Sequence, residues 1–243
     1  MSSSDQNAPS PSDDADYAKS FDFSTASIRQ GFIRKVYGLL SLQLIVTFGI
    51  VLLFCLHPTV KEYTRNNLWI LLVAIVVEFV TIMALCCCEA VRRTHPTNLI
   101  FMALFTLGTA ICVGYVGASY SVEDVLIALG LTAIMVIGLT LFALQTKWDF
   151  TKMGGGLFIA LLLFTVVAIV ASIMRSNYAT MILAYVGVVL FSIYLIHDTQ
   201  LIIGGNHRYE MSPEEYVLGA ITLYLDIVRI FMYLLRIVAA AKS

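Results

Sequence analysis

The sequence predicts an all-α polytopic membrane protein with seven transmembrane helices. Of its 243 residues, 59% are hydrophobic and only 13% are charged, whereas a soluble domain carries about 25% charged residues. Apolar runs of about 20 residues, the length that crosses a bilayer as a helix, recur along the chain. The segments between these runs are short, so we expect one membrane domain without an inserted soluble domain.

The chain begins with a segment that we expect to be a disordered cytosolic tail, residues 1–30. This segment is rich in Ser, Asp and Pro and poor in apolar residues. It lacks the basic-then-apolar order of a secretory signal peptide. We therefore expect the first membrane helix to act as the targeting signal and residues 31–243 to form the membrane domain.

Six membrane spans follow as clear apolar runs, at about 36–57, 68–88, 98–118, 124–145, 157–174 and 179–203. A seventh apolar segment, about 213–241, also contains charged residues. Ser212, Pro213 and Glu215 have the order of a capping box with proline at the first helical position, so this helix is predicted to begin near Pro213. Charge counting leaves open whether the seventh helix crosses the membrane fully or re-enters it.

Lysine and arginine are concentrated on the side of the predicted bundle that holds the N-terminus. That side carries Arg29, Arg34, Lys35, Arg92, Arg93, Lys147, Lys152 and Arg208. Between the first six helices, the other side carries only Lys61, Arg65 and Arg175. Because the side richer in Lys and Arg stays in the cytosol, the N-terminus is predicted to be cytosolic.

The polar residues of the seventh segment form one stripe along a helix. Their spacing is four, three, four and three, for Thr222, Asp226, Arg229, Tyr233 and Arg236. A stripe of this kind cannot face lipid. It predicts a helix surrounded by the others, with its polar side turned to a cavity or to a partner helix.

Two aspartates lie within the last two apolar segments. A carboxylate in hydrocarbon costs several kcal/mol unless it is paired, hydrated or protonated, so an ionisable residue there is a candidate functional site. Asp226 lies about 20 Å along its helix, and Asp198 lies about 9 Å from the end of the sixth. Their presence on sequential helices suggests a shared buried site, although direct contact would need a tilted helix or an uneven break. Glu78, midway along the second span, could line the same cavity.

Carboxylates in such a site would share a proton, because two neighbouring carboxylates cannot easily both ionise. Deprotonated, their oxygens suit Ca²⁺, so protons and calcium would compete. A structural alternative remains open, in which Asp226 pairs with Arg229 one turn on and Asp198 binds the backbone or Thr199. His197 points about 100° away from Asp198 on the helix, and we interpret it as an interfacial residue.

Several segments resemble the transmembrane Bax-inhibitor-motif family. The signature of that family is similar to Asp198-Thr199-Gln200 with Leu-Ile-Ile-Gly-Gly after it, Ser212-Pro213-Glu214-Glu215-Tyr216, and Leu223-Tyr224-Leu225-Asp226-Ile227. Its lifeguard branch is similar to Phe32-Ile33-Arg34-Lys35-Val36-Tyr37 with Gln43-Leu44 and Thr47. The resemblance spans about residues 28–240 and implies seven helices, with the seventh buried centrally among the other six.

The resemblance also implies a function. The family's activity is a pH-sensitive calcium leak from internal stores that suppresses cell death, with a di-aspartyl sensor at the positions of Asp198 and Asp226. We expect these two residues to bind calcium transiently and Glu78, Arg229 and Thr222 to line or tune the ion pathway. Some bacterial relatives carry an arginine in the second helix, where this chain has Glu78.

The expected setting follows from the same resemblance. The membrane is that of the endoplasmic reticulum or the Golgi, with the plasma membrane as the alternative. We expect no catalytic residues, no cofactor and no nucleic-acid partner. The expected partners are the lipid bilayer, calcium ions, protons, and either cell-death regulators or calcium-release channels.

Two other classes of function stay open. A proton-coupled cation exchanger would show stoichiometric counter-transport, and a non-conducting scaffold for cell-death or calcium-channel proteins would tolerate Asp226→Asn. Enzymes are not expected. Presenilin-type proteases need Gly-x-Gly-Asp, whereas Asp226 follows Leu-Tyr-Leu, and a zinc hydrolase is disfavoured because four histidines lie at separate helix ends: His57, His95, His197 and His207.

Five cysteines form neither a disulfide framework nor a zinc motif. Cys55 and Cys112 lie within apolar runs. Cys86, Cys87 and Cys88 are consecutive at the cytosolic end of the second predicted span. Juxtamembrane cysteines are candidates for palmitoylation, and simple packing at the membrane boundary explains them equally well.

Overall fold

The computed structural model describes residues 11–174, 176–204 and 208–242, with side chains described from residue 27 onward except that of Arg65. Within these ranges the chain is helical, and seven helices are long and apolar enough to cross a membrane. They are α1 (Pro11–Leu56), α2 (Leu68–Cys87), α3 (Thr97–Gly117), α4 (Val122–Gln145), α5 (Gly154–Met174), α6 (Asn177–Ile203) and α7 (Tyr216–Ala241).

The seven predicted spans are confirmed, and most of their bounds agree within a few residues. The main difference is in α1, which begins at Pro11 and has its membrane-compatible part at Ser27–Leu56. No glycine or proline interrupts the sequence between Pro11 and Gly31, and these are the residues that disfavour helix most. The helix therefore starts before the predicted domain boundary at residue 30. Residues 1–10 of the predicted tail lie outside the described residues.

Short elements connect the long helices. Pro58–Asn66 and Glu89–Arg93 are short α-helices, and single 3₁₀ turns, Phe150–Met153 and Pro213–Glu215, precede α5 and α7. The predicted start of the last helix is confirmed, with Ser212 Oγ accepting from the backbone N–H of Glu214. The Glu215 carboxylate does not complete the predicted capping box; it forms an ion pair with Arg92 at 3.1 Å.

Helix α7 lies at the centre of the bundle, as predicted. Thirteen of its 26 residues are buried, among them Tyr224, Ile230 and Phe231 at 0% exposure. It packs against α1, α3, α4 and α6. Helices α2 and α5 are peripheral, and each buries only three residues. The many apolar side chains exposed on these outer helices are those that would face lipid.

The ion pairs at the two ends of α7 show that this helix runs the full width of the bundle. At its start, Glu215 pairs with Arg92 in the α2–α3 connection. At its end, Lys242 pairs with Glu123, which lies 3.1 Å away at the start of α4. Because α3 separates these two places, they lie on opposite faces. The face with the α2–α3, α4–α5 and α6–α7 connections is called the N-terminal face below, and the other is called the opposite face.

Candidate functional site

A cavity of about 840 Å³ lies between α5, α6 and α7. We call it the aspartate cavity because Asp198 and Asp226 both lie on its wall. The other polar lining residues are Thr165, Ser172, Tyr194, Thr222, Arg229 and Tyr233. The structure thus brings the two aspartates to one cavity, although they lie at different depths in their helices.

Asp226 is the most buried charged residue of this cavity. Its side chain is only 5% exposed, and within the described part of the chain its Oδ2 atom has no hydrogen-bond partner. Arg229 lies on the same wall, but no ion pair joins it to Asp226 among the described residues. The Asp226–Arg229 pair of the structural alternative is thus not formed in the part of the chain that the structure describes. A buried carboxylate without a partner is stable only when it is protonated or balanced by a cation.

Asp198 has a partner that the sequence interpretation missed. His197 Nδ1 shares a hydrogen bond of 2.8 Å with Asp198 Oδ1, and the histidine side chain is 11% exposed. The interpretation of His197 as interfacial stays a prediction, and the contact with Asp198 forms because two flexible polar side chains can meet although their Cβ atoms diverge by about 100°. The other ring nitrogen lies against Gly154, where an added Cβ would be 3.3 Å away. A His–Asp dipeptide in an apolar helix is the signal that points to this pair.

The predicted polar stripe of α7 faces cavities at all five of its residues, four of which share the aspartate cavity. Thr222, Asp226, Arg229 and Tyr233 line the aspartate cavity, and the Thr222 hydroxyl donates to the Gly219 carbonyl at 3.1 Å. Arg236 lies farther along, in another cavity of about 440 Å³ that also contains Asn177 and Tyr178 at the start of α6. The stripe therefore leads from the aspartates toward the opposite face.

Glu78 does not line the aspartate cavity, contrary to expectation. It lies in a second cavity of about 330 Å³ between α2, α3 and α7, together with Thr109 and Cys112. The order of helices around α7 explains the difference: α2 packs on α3, whereas α5 packs on α6. Arg229 lines both cavities and is the one charged residue that they have in common within the described chain.

Aromatic rings form much of the apolar wall of the aspartate cavity. Phe191 stacks on Tyr194 and on Tyr233 with ring centroids 5.9 Å apart in each pair, and Phe164 meets Tyr233 edge-on at 5.8 Å. The Tyr233 ring fits because residue 187 is glycine, where a Cβ would lie 2.7 Å from the ring. This wall was not predicted, since aromatic residues are scattered throughout the apolar runs.

Gln200, two residues after Asp198, holds the α4–α5 connection in place. Its side chain is fully buried. The amide donates to the carbonyls of Trp148 at 2.9 Å and Ala143 at 3.4 Å, and its oxygen accepts from the backbone N–H of Phe150 at 2.8 Å. The Asp-Thr-Gln motif thus joins a cavity residue to one that fixes the neighbouring connection.

Asp149 ties the α4–α5 and α6–α7 connections together. Its carboxylate accepts from the Thr151 hydroxyl at 2.5 Å and from the backbone N–H of Arg208 at 3.1 Å, and Lys152 lies 3.4 Å away. These contacts lower the pKa of Asp149 to about 2, and the hydrogen bond from the Thr151 hydroxyl has the largest effect. The carboxylate is therefore ionised at every physiological pH.

Arg29 closes the same face from the side of α1. Its guanidinium donates to the carbonyls of Ile203 at 3.0 Å and Met211 at 2.6 Å, and it pairs with Glu210 at 2.8 Å. It satisfies a backbone carbonyl at the end of α6, which no residue of that helix can do. Together with Gln200 and Asp149, Arg29 covers the end of the bundle nearest Asp198.

Comparison with known proteins places this arrangement in context. The profile of the family described as "Inhibitor of apoptosis-promoting Bax1" matches residues 29–243. Protein lifeguard 3 of Mus musculus is 36% identical over 217 residues, covering 88% of this chain and 70% of that protein. Protein lifeguard 3 of Homo sapiens is 36% identical over 214 residues, covering 86% and 68%. Protein lifeguard 4 of Mus musculus is 35% identical over 231 residues, covering 95% and 94%.

Proposed function

Because the chain belongs to the Bax1-I family, the inhibitors of apoptosis-promoting Bax1, we propose that it mediates a pH-sensitive calcium leak across an intracellular membrane. In this proposal Asp198 and Asp226 form the sensor and gate. The leak lowers the calcium content of the store, and the lower content suppresses cell death. The role is one of transport and needs no catalytic residue or cofactor.

The observation that carries the proposal is the placement of two carboxylates on one cavity wall, with one Asp226 oxygen buried and without a hydrogen bond among the described residues. In a poorly hydrated site two carboxylates cannot easily both stay ionised. Either a proton or a cation relieves the repulsion, so the two compete for the same oxygens. Acid therefore favours the protonated pair, and a rise in pH favours calcium.

The composition of the site suits a passing ion better than a resident one. Ca²⁺ takes about six to eight oxygen ligands in a stable site, and within the described residues no group of three or more metal-ligating side chains is present. Two carboxylates with the nearby Thr222 hydroxyl offer few ligands, which favours weak and transient binding. Arg229 tunes the site, because its positive charge lies between the aspartates and Glu78.

For the setting, we assign the N-terminal face to the cytosol and the membrane to the endoplasmic reticulum or Golgi, with the plasma membrane as the alternative. The Lys and Arg distribution supports this orientation. Since α7 runs the full width of the bundle, its end with Lys242 would then lie on the lumenal side. Cell-death regulators or calcium-release channels are the protein partners that this setting suggests.

The test is calcium flux into liposomes that contain the purified protein, between about pH 6 and pH 8. We expect flux above that of empty liposomes, and a pH dependence that Asp198→Asn or Asp226→Asn alters or removes. Glu62→Gln is the control, because Glu62 is an exposed carboxylate on the opposite face. It should leave both the flux and its pH dependence unchanged.

Two results would contradict the leak. Proton counter-transport in fixed ratio to calcium, read from a pH dye inside the liposomes, would indicate an exchanger. Folded protein without flux, together with full cell-death suppression by Asp226→Asn, would indicate a non-conducting scaffold.

A further inference from the structure

Three thiols are exposed together at the end of α2 on the N-terminal face. Cys86, Cys87 and Cys88 are all free and exposed, whereas Cys55 is buried and Cys112 is partly buried. Helix α2 has 20 residues and a length of about 30 Å, which equals the thickness of the hydrocarbon core. The three thiols therefore lie where the hydrocarbon meets the headgroups.

The surface that runs from these thiols into the membrane is apolar. Val76, Val80 and Met83 are 60%, 55% and 45% exposed, and their spacing of four and three residues puts them on one stripe of α2. Cys87 is the next position on that stripe, and Cys86 lies beside it. The stripe is about 16 Å long from Val76 to Cys87. An acyl chain attached at its end would lie along it within the hydrocarbon.

The end of α2 is also fixed relative to the bundle. Arg92 donates to the Cys86 carbonyl at 3.2 Å and pairs with Glu215 at 3.1 Å. These contacts join the last turn of α2 to the start of α7. The thiols are thus held next to the start of α7 rather than on a free helix end.

Other uses of three adjacent thiols fit the geometry less well. Consecutive Cα atoms are about 3.8 Å apart, which is shorter than the range of about 4.4–6.8 Å found in disulfides. This spacing disfavours a disulfide within Cys86–Cys87 or Cys87–Cys88, and all three cysteines are free. In the described part of the chain, no group of three or more Cys, His, Asp or Glu residues could hold a metal ion. The thiols are left as accessible nucleophiles at a membrane surface.

We propose that Cys86, Cys87 and Cys88 form an S-acylation site for long fatty-acyl chains. The thiolate sulfur attacks the carbonyl carbon of a long-chain acyl-CoA, and a new thioester bond forms as the bond to coenzyme A breaks. The coenzyme A thiolate takes up the proton that the cysteine has lost, so the exchange is redox-neutral. The donor is cytosolic, in agreement with the assigned orientation. The proposal does not depend on ion flux.

The test uses the full chain expressed in eukaryotic cells. Free thiols are blocked, thioesters are cleaved with neutral hydroxylamine, and the released thiols are tagged with PEG-maleimide. We expect at least one hydroxylamine-dependent mass step in the unmodified chain. The variant with Cys86→Ser, Cys87→Ser and Cys88→Ser should lose every step. The matched control, Cys55→Ser with Cys112→Ser, should keep them all.

Two outcomes would overturn the site. One is a chain without any hydroxylamine-dependent step, and the other is tagging that persists in the triple serine variant. A variant with alanine at the same three positions should also lose every hydroxylamine-dependent mass step. Gel filtration of both variants checks that the loss does not come from misfolding. Single substitutions at the three positions then identify which thiols carry the chains.

Discussion

The two faces of the bundle are held together in different ways. On the N-terminal face, Gln200, Asp149 and Arg29 bind backbone groups of connections that are distant in the sequence. On the opposite face, the described polar contacts between helix ends are fewer: Lys242 pairs with Glu123 and Asp124, and Lys61 donates to the Tyr120 carbonyl at 3.3 Å. One end of the bundle is therefore fixed, and the other is joined mainly by flexible lysine side chains.

This difference bears on how the aspartate cavity would open. Asp198 lies near the fixed N-terminal face, whereas the lining residues Ser172 and Ile173 are close to the opposite end of α5. Helix α5 is held by three buried residues, which recur every seven positions: Leu157, Phe164 and Ala171. Under the proposed function, access from the opposite face requires little rearrangement. Passage through the N-terminal face must break the contacts of Gln200 or its neighbours, which makes that face the closed end.

The largest expected effect comes from removing the Gln200 amide. Gln200→Leu keeps the volume but leaves the Trp148 carbonyl and the Phe150 N–H without their partner. An unsatisfied buried group costs about 1–3 kcal/mol, and these two groups are only partly buried. We therefore expect a loss of about 2–4 kcal/mol in the free energy of unfolding. The thermal midpoint of the purified protein measures it, and a higher basal calcium flux should accompany it.

The control for this variant is Gln145→Leu, which makes the same chemical change at an exposed position in the last turn of α4. It should leave the midpoint unchanged. Equal midpoints for Gln200→Leu and the unmodified chain would mean that the N-terminal face is not fixed by this side chain, and the contrast between the faces would lose its main support.

A smaller effect is expected at Arg29. Arg29→Lys keeps the positive charge but loses the planar fork that reaches Ile203, Met211 and Glu210 together. We expect a loss of about 1–2 kcal/mol in the free energy of unfolding, again read from the thermal midpoint. Arg34→Lys, at an exposed position of the same helix, should cost nothing measurable. If both arginine variants behaved alike, charge rather than geometry would hold this end of α6.

Much of the fold could be predicted from the sequence because the bilayer sets the length of every span. The capping signal at Ser212 and Pro213 placed the start of the last helix, and the spacing from Thr222 to Tyr233 identified the side that faces a cavity. The shared position of Asp198 and Asp226 followed from the cost of a carboxylate in hydrocarbon. These features depend on local periodicity and on the membrane, both of which are visible in one sequence.

The features that sequence reasoning missed depend on the order of helices around α7. Glu78 is a carboxylate midway along an apolar span, as Asp226 is, and the packing of α2 on α3 places it in a different cavity. The contacts of the N-terminal face join residues far apart in the chain, such as Gln200 with Trp148 and Arg29 with Met211. The periodicity of apolar and polar residues in the sequence cannot indicate such pairs, because each pair involves one side chain and one backbone group.

The smallest effect is expected on the opposite face, at Lys242. Its hydrogen bonds raise the pKa of Lys242 above its ordinary value of 10.5, and the bond with Asp124 has a larger effect than the bond with Glu123. The stabilisation is therefore complete below that value and is lost as the pH rises through the higher pKa of the folded protein. We expect Lys242→Met to lower the thermal midpoint slightly at neutral pH and low salt, with the difference vanishing in high salt and in strong alkali.

Lys147→Met is the matched control, because it removes an exposed lysine from the N-terminal face. Its midpoint should equal that of the unmodified chain at each pH and salt concentration. A Lys242→Met effect as large as that of Gln200→Leu would reverse the comparison, because the opposite face would then be held as firmly as the N-terminal face. The aspartate cavity would lie between two fixed ends, and calcium access would have to arise by movement of the lightly packed α5 away from α7.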